Sequence, residues 1–174
     1  VAYDDYYSIY EDNILNVVEL GVLENDTDPD YDNISAIKVN DPINGTLTVF
    51  NANGSFVYTP DANFYGNDSF TYVANDGSSN SNIATVNIFI IPVDDAPVAI
   101  NDFYNIFEDT INYTVVENQG LLQNDENPDN DYIIAIKVCD PIHGTFINFN
   151  ANGSFVYTPY ENFSGNDFFL YKAY

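Results

Sequence analysis

The residues of this chain that could do chemistry are carboxylates set in turns. One run places acids at every second position: Asp26, Asp28, Asp30 and Asp32 within Asn25-Asp26-Thr27-Asp28-Pro29-Asp30-Tyr31-Asp32. A second run, Asn124 to Asp131, carries Asp125, Asp129 and Asp131. Further acids fall at Glu11, Asp12, Asp68, Asp76, Asp94 and Asp95, and at Glu108, Asp109 and Asp167. Carboxylate oxygens are hard ligands, and Ca²⁺ takes 6–8 oxygens at roughly 2.3–2.6 Å in flexible geometry. Mg²⁺ suits these segments less, because it keeps its waters and demands an octahedron. The alternation also resembles an EF-hand loop, but the glycine at the sixth position and the glutamate at the twelfth are missing. Solvated acidic turns are the competing explanation, since Asp and Asn are ordinary turn formers.

Other chemistries find little support. His143 is the only histidine and Cys139 the only cysteine, so neither a zinc site nor an intrachain disulfide can be assembled. No framework for a nucleophile triad is present, and the paired acids that a glycosidase needs all sit in turns. The expectation is that the chain is not an enzyme. Formal charge is −24, from 3 basic and 27 acidic residues, with no arginine. Nucleic acid, which needs cations to replace phosphate counterions, is excluded as a partner, and anionic lipid is disfavoured. No apolar run reaches the ~20 residues of a membrane helix, so no membrane insertion is expected. The absence of methionine suggests a mature or excised segment. Asn-x-Ser/Thr sequons, as at Asn53 and Asn152, allow glycosylation but arise readily in Asn-rich turns.

The elements that position these acids come in duplicate. FNANGSFVYTP occurs at Phe50–Pro60 and again at Phe149–Pro159, and Gly21–Tyr72 matches Gly120–Tyr171 at 35 of 52 positions. That offset is 99, whereas Val1–Val18 aligns with Val98–Val115 at 97. A period this long fits one small domain. The expected domains are residues 1–95 and 96–174. Runs rich in Val, Ile, Thr, Tyr and Phe predict seven strands in copy one, near Tyr6–Tyr10, Ile14–Val18, Ile34–Val39, Thr46–Phe50, Ser55–Thr59, Ser69–Ala74 and Ile83–Ile91. Asn53-Gly54 predicts a hairpin. The fold class is all-β: two tandem Ig-like β-sandwiches, the second lacking its last strand, because nothing follows Tyr174 to match Asp76–Asp95. Phe56, Tyr58, Phe70 and Tyr72 are expected inside, with Phe155, Tyr157, Phe168 and Tyr171. Tyr3, Tyr6, Tyr7 and Tyr10 are expected to alternate between core and cross-strand packing, with a sugar-binding platform as the other reading.

Several co-ordered motifs carry a family resemblance. They are GVLENDTDPD at Gly21–Asp30, GTL at Gly45–Leu47, GSFVYTP at Gly54–Pro60, NFYGNDSFTY at Asn63–Tyr72 and DDAPVA at Asp94–Ala99. This pattern is similar to the cadherin-like, Ig-like tandem repeats of large bacterial and archaeal surface adhesins. The resemblance implies an extracellular or cell-surface location, long arrays, and calcium at domain junctions. Stacking the copies would bring Glu11, Asp12, Asp68, Asp94 and Asp95 to the loop with Asp125, Asp129 and Asp131. The loop acids Asp26, Asp28, Asp30 and Asp32 with Asp76 would form half of a like site, and Glu108, Asp109 and Asp167 the other half. The missing last strand suggests either a piece of a longer array or an edge that takes a strand from a neighbouring copy, head to tail. The function expected is a calcium-stiffened structural repeat of an adhesin, stalk or self-assembling surface fibre. The alternative is a module binding surface glycans or another cell-surface partner.

Overall fold

The computed structural model describes residues 1–174, all of the chain. The chain divides into two units, Val1–Val93 and Asp94–Tyr174.

In the first unit seven strands form where β-branched and aromatic residues cluster: β1 Asp5–Tyr10, β2 Leu15–Val17, β3 Ser35–Asn40, β4 Gly45–Phe50, β5 Phe56–Pro60, β6 Gly66–Asn75 and β7 Ala84–Ile91. They make two sheets, ordered β1-β7-β6-β3 and β2-β5-β4. All pairings are antiparallel except β1 with β7. In β7 the inward set Ala84, Val86, Ile88 and Ile90 is buried, while the residues between them are partly or fully exposed, the period of two that one core face imposes. Phe56 meets Phe70 edge-to-face at 5.2 Å, and Tyr7 meets Phe56 at 5.2 Å, so rings from both sheets interlock at the centre.

The β4–β5 turn uses Gly54 at φ +85°, a conformation that strains any residue with a Cβ. A Cβ there would also meet the Leu20 carbonyl oxygen at 2.5 Å. The buried turn Gly21–Leu23 docks on this hairpin, with the Val22 N–H donating to the Gly54 carbonyl at 3.1 Å.

The second unit repeats the plan with less sheet. β8 Tyr113–Val115, β10 Gly144–Phe149 and β11 Phe155–Pro159 form one sheet, and β9 Ala135–Cys139 pairs with β12 Leu170–Ala173. β1 has no counterpart strand here. Its ladder in the first unit runs entirely to β7, Asp5 opposite Val86 through Tyr10 opposite Ile91. No β7 equivalent occupies that place, so the residues matching β1, 102–107, form no ladder. β12 is short for the same reason, since Gly66–Tyr72 of β6 also pair with β7. One side of β12 is therefore an unpaired edge. The buried core shrinks to Val115, Leu121, Ala135, Phe155 and Tyr157, with Phe146 and Phe169 packed against it.

Phe168, expected inside, faces outward instead. Its side is 62% exposed, and it is Phe169 that packs on Phe146 at 4.8 Å. Phe169 is the residue at offset 99 from Phe70, and along an extended chain the neighbouring residue faces the other way. Among the N-terminal tyrosines, Tyr7 packs on the core, whereas Tyr3, Tyr6 and Tyr10 are exposed.

Candidate functional site

The turn acids divide by what already holds them. Asp68 is buried and saturated. Its Oδ1 accepts the N–H groups of Ile43 (3.1 Å) and Ser69 (2.8 Å), and its Oδ2 accepts the Asn44 N–H (3.1 Å) and the Tyr58 hydroxyl (2.8 Å). Asp167 does the same with Ile142, Phe168, His143 and Tyr157. A carboxylate offers about four lone-pair sites, so each oxygen is committed, Asp68 clamping the β3–β4 loop to β6 and Asp167 clamping the β9–β10 loop to the segment before β12. Ligation of an ion by Asp68 would compete with this clamp. Partial burial pushes the Asp167 carboxyl up, but the four hydrogen bonds outweigh it and leave the group below the usual range.

Other acids hold their own turns. Asp12 Oδ1 accepts the Asn63 N–H at 3.2 Å, and Asp109 accepts the Asn162 N–H at 2.8 Å, the same contact in each copy. Asp28 Oδ1 accepts the N–H groups of Asp30 (2.9 Å) and Asp32 (3.1 Å), closing an Asx-type loop. Its counterpart Asn127 instead donates to the Asp131 carbonyl at 2.9 Å. Asp76 Oδ1 takes the N–H groups of Ser78 and Ser79, both at 2.7 Å, and these bonds hold its carboxyl below the ordinary value. Asp30, Asp32, Asp94, Asp131 and Glu108 are exposed. Asp129 Oδ2 accepts the Asp95 N–H at 2.7 Å. Glu11 is buried; its Oε1 accepts the Val93 N–H at 2.5 Å, and its Oε2 has no hydrogen-bond partner.

A different constellation appears at the start of each unit. In the first, the Tyr72 hydroxyl lies 2.5 Å from the Val22 carbonyl oxygen, 3.0 and 3.1 Å from the two Asp26 oxygens, and 3.3 Å from the Tyr3 carbonyl oxygen. Asp26 Oδ1 also accepts the Tyr3 N–H at 2.8 Å. Asp5 sits beside this group, 7% exposed, with Oδ2 buried and without a hydrogen-bond partner. Burial first, then the charges of Asp26, Asp4 and Glu24, pushes the Asp5 carboxyl up to about 7 despite the Tyr72 hydroxyl beside it. Asp26 is also raised, chiefly by burial.

The second unit repeats the set. The Tyr171 hydroxyl lies 2.8 Å from Asp125 Oδ1, 3.0 Å from the Leu121 carbonyl oxygen and 3.1 Å from that of Ile100. The Oδ2 atoms of Asp102 and Asp125 are buried without partners, and burial lifts the Asp102 carboxyl to about 6. Asp26 and Asp125 stand out in the sequence; Asp5 and Asp102 do not, because neither lies in an acidic loop. Their one signal is that both copies keep Asp at offset 97.

Outside the carboxylates, His143 stacks on Phe163 at 4.2 Å, and Cys139 is a free thiol opposite Leu170 in the β9–β12 ladder. No helix is long and apolar enough to cross a membrane.

Residues 1–89 match the model of the bacterial Ig domain family. The chain belongs to that family. Residues 93–174 match the model of the cadherin-like domain. A curated relative, Protein GAMETE EXPRESSED 2 of Arabidopsis thaliana, is 35% identical over 111 residues, 63% of this chain. The chain spans only 11% of that relative's length. Among solved structures, human mucin-like protocadherin EC1-2 overlays 98% of this chain and 93% of its own at 15% identity and a TM-score of 0.45. An endo-fucoidan hydrolase of glycoside hydrolase family 107 overlays 99% of this chain and 26% of its own at 19% identity and a TM-score of 0.41. At these scores neither likeness bears on function.

Proposed function

We propose that this chain is a calcium-stiffened extracellular structural repeat of an adhesin, stalk or self-assembling surface fibre. One observation carries the reading: a stretch matching the bacterial Ig domain is followed by one matching the cadherin-like domain, and most turn carboxylates recur, Glu11, Asp12, Asp26, Asp30, Asp32 and Asp68 as Glu108, Asp109, Asp125, Asp129, Asp131 and Asp167. A dedicated binding or catalytic site makes one copy diverge, and here the loops are largely shared. Calcium is the proposed cofactor. Glu11, Asp12, Asp94, Asp95, Asp125, Asp129 and Asp131 are its proposed junction ligands, with Asp26, Asp28, Asp30, Asp32 and Asp76 serving a preceding repeat. Extracellular calcium modules bind at roughly 10⁻⁴–10⁻³ M. The test is a melt of the full chain with and without excess chelator, alongside small-angle scattering. Calcium is expected to raise the melting temperature and narrow the range of shapes. Identical melts and profiles would overturn the reading.

The unpaired edge of β12 supports a finer proposal. A β7-like strand of a neighbouring copy, added head to tail, fills the position beside Leu170–Ala173. A heterologous contact of this kind does not close on itself and builds a fibre. The second reading, a glycan-binding module, draws on the exposed rings of Tyr3, Tyr6 and Tyr10. Protection of those rings by added sugar would favour it.

A further inference from the structure

We infer that each repeat contains an intradomain cation site between its first-strand aspartate and the aspartate of its Asn-Asp loop: Asp5 with Asp26, and Asp102 with Asp125. A tyrosine hydroxyl has one proton to donate. Around Tyr72 four acceptor oxygens stand within 3.3 Å, and Asp5 adds its carboxylate beside them. The shortest contact, to the Val22 carbonyl, takes the proton. The Tyr3 N–H serves Asp26 Oδ1. Asp5 is left with a buried oxygen that no donor reaches.

A desolvated carboxylate without a partner is costly, and a buried charge is ordinarily paired or bound to a metal. No Lys or Arg can answer for Asp5: the three lysines of the chain are Lys38, Lys137 and Lys172, and the first two pair with Asp41 and Asp140. The second repeat reproduces every member of the group. Ile100, Asp102, Leu121, Asp125 and Tyr171 stand for Tyr3, Asp5, Val22, Asp26 and Tyr72, and Asp102 and Asp125 each keep a buried, unpartnered Oδ2. Two carboxylates, two backbone carbonyls and a phenol oxygen form an all-oxygen donor set. That set suits a hard divalent cation, and its irregular spacing suits Ca²⁺ over Mg²⁺.

The inference rests on the calcium reading and deepens it by adding a site inside each domain, in which Asp5 and Asp102, outside the acidic loops, join the loop acids Asp26 and Asp125. Two measurements on the full chain test it. Equilibrium dialysis against calcium chloride counts bound ions in the unsubstituted protein, in Asp5→Asn and in Asp102→Asn. The expected result is one ion fewer for each substituted repeat. Carboxyl ¹³C resonances of Asp5 and Asp102, followed in the unsubstituted chain, are expected to move on calcium addition; this covers the case in which a variant does not fold. Unmoved Asp5 and Asp102 resonances while other Asp signals shift would overturn the inference and leave the calcium reading standing. Absence of any calcium binding would overturn both. An Asp5→Asn protein that binds as many ions as before would show a proton, not a metal, neutralising the pair.

Discussion

At the residue scale the acids of this chain separate into clamps and candidates. Asp68 clamps a loop through two N–H groups, the Tyr58 hydroxyl and its own strand. Asp68→Asn keeps the size but turns an amide N–H₂ toward the donors on one side. Leaving buried donors unsatisfied costs about 1–3 kcal/mol, so chemical denaturation of this variant is expected to show a loss of that order. A loss near zero would mean the loop does not need the clamp. Asp167, the same clamp in the second unit, carries a depressed pKa, and the sign of its pH effect follows. The folded state holds the proton less tightly than the unfolded chain, whose aspartates titrate near about 3.9. The stabilisation is complete above that value and fades as pH falls through it towards the lower folded pKa. The stability gap between the unsubstituted protein and Asp167→Asn is therefore expected to be largest at neutral pH and to narrow below about pH 4. A gap independent of pH would contradict the assignment.

At the element scale the decisive strand is β7. It pairs with β1 on one side and β6 on the other, and its inward residues Val86, Ile88 and Ile90 are fully buried. The second unit shows what its absence does: the β1 equivalent forms no ladder and the β6 equivalent is cut to Leu170–Ala173. A synthetic peptide spanning residues 83–92 is expected to bind the 174-residue chain, raise its melting temperature and protect amides of Leu170–Ala173 from exchange. No binding at millimolar peptide would remove the strand-addition proposal. The same comparison fixes which ring matters. Phe70→Ala removes a buried ring and is expected to cost about 3–5 kcal/mol. Phe169→Ala should follow the same trend in a thinner core, whereas Phe168→Ala lies on the exposed face and should stay within about 0.5 kcal/mol. Equal losses at 168 and 169 would contradict the observed facing.

At the scale of the whole molecule the chain is a tandem array with a charge of −24. Like charges repel, and cations that bind only the folded form relieve that repulsion and add stability as RT ln(1 + [L]/Kd). Calcium at about a hundred times its Kd would contribute about 2.7 kcal/mol per independent site. A melting temperature that rises with calcium and not with an equal ionic strength of sodium chloride is the expected outcome. Equal rises with both salts would assign the effect to screening alone.

The duplication, the seven strands of the first copy and the turn at Asn53-Gly54 could be read from sequence because they rest on local signals: an internal match, a period of two, and residues that tolerate positive φ. The missing last strand was legible for the same reason, since one copy served as a template for the other. What the local pattern could not show is which oxygens of which acid are already taken. Asp68 and Asp28 look alike in a linear reading, yet one is saturated by a tyrosine hydroxyl ten residues before it and by two amides of a distant loop. Asp5 looks like an ordinary strand residue until folding brings Asp26 and Tyr72 beside it and removes water from its Oδ2. Hydrogen-bond supply and desolvation depend on neighbours distant in sequence, so only the tertiary structure decides which carboxylates are occupied and which remain in need of a partner.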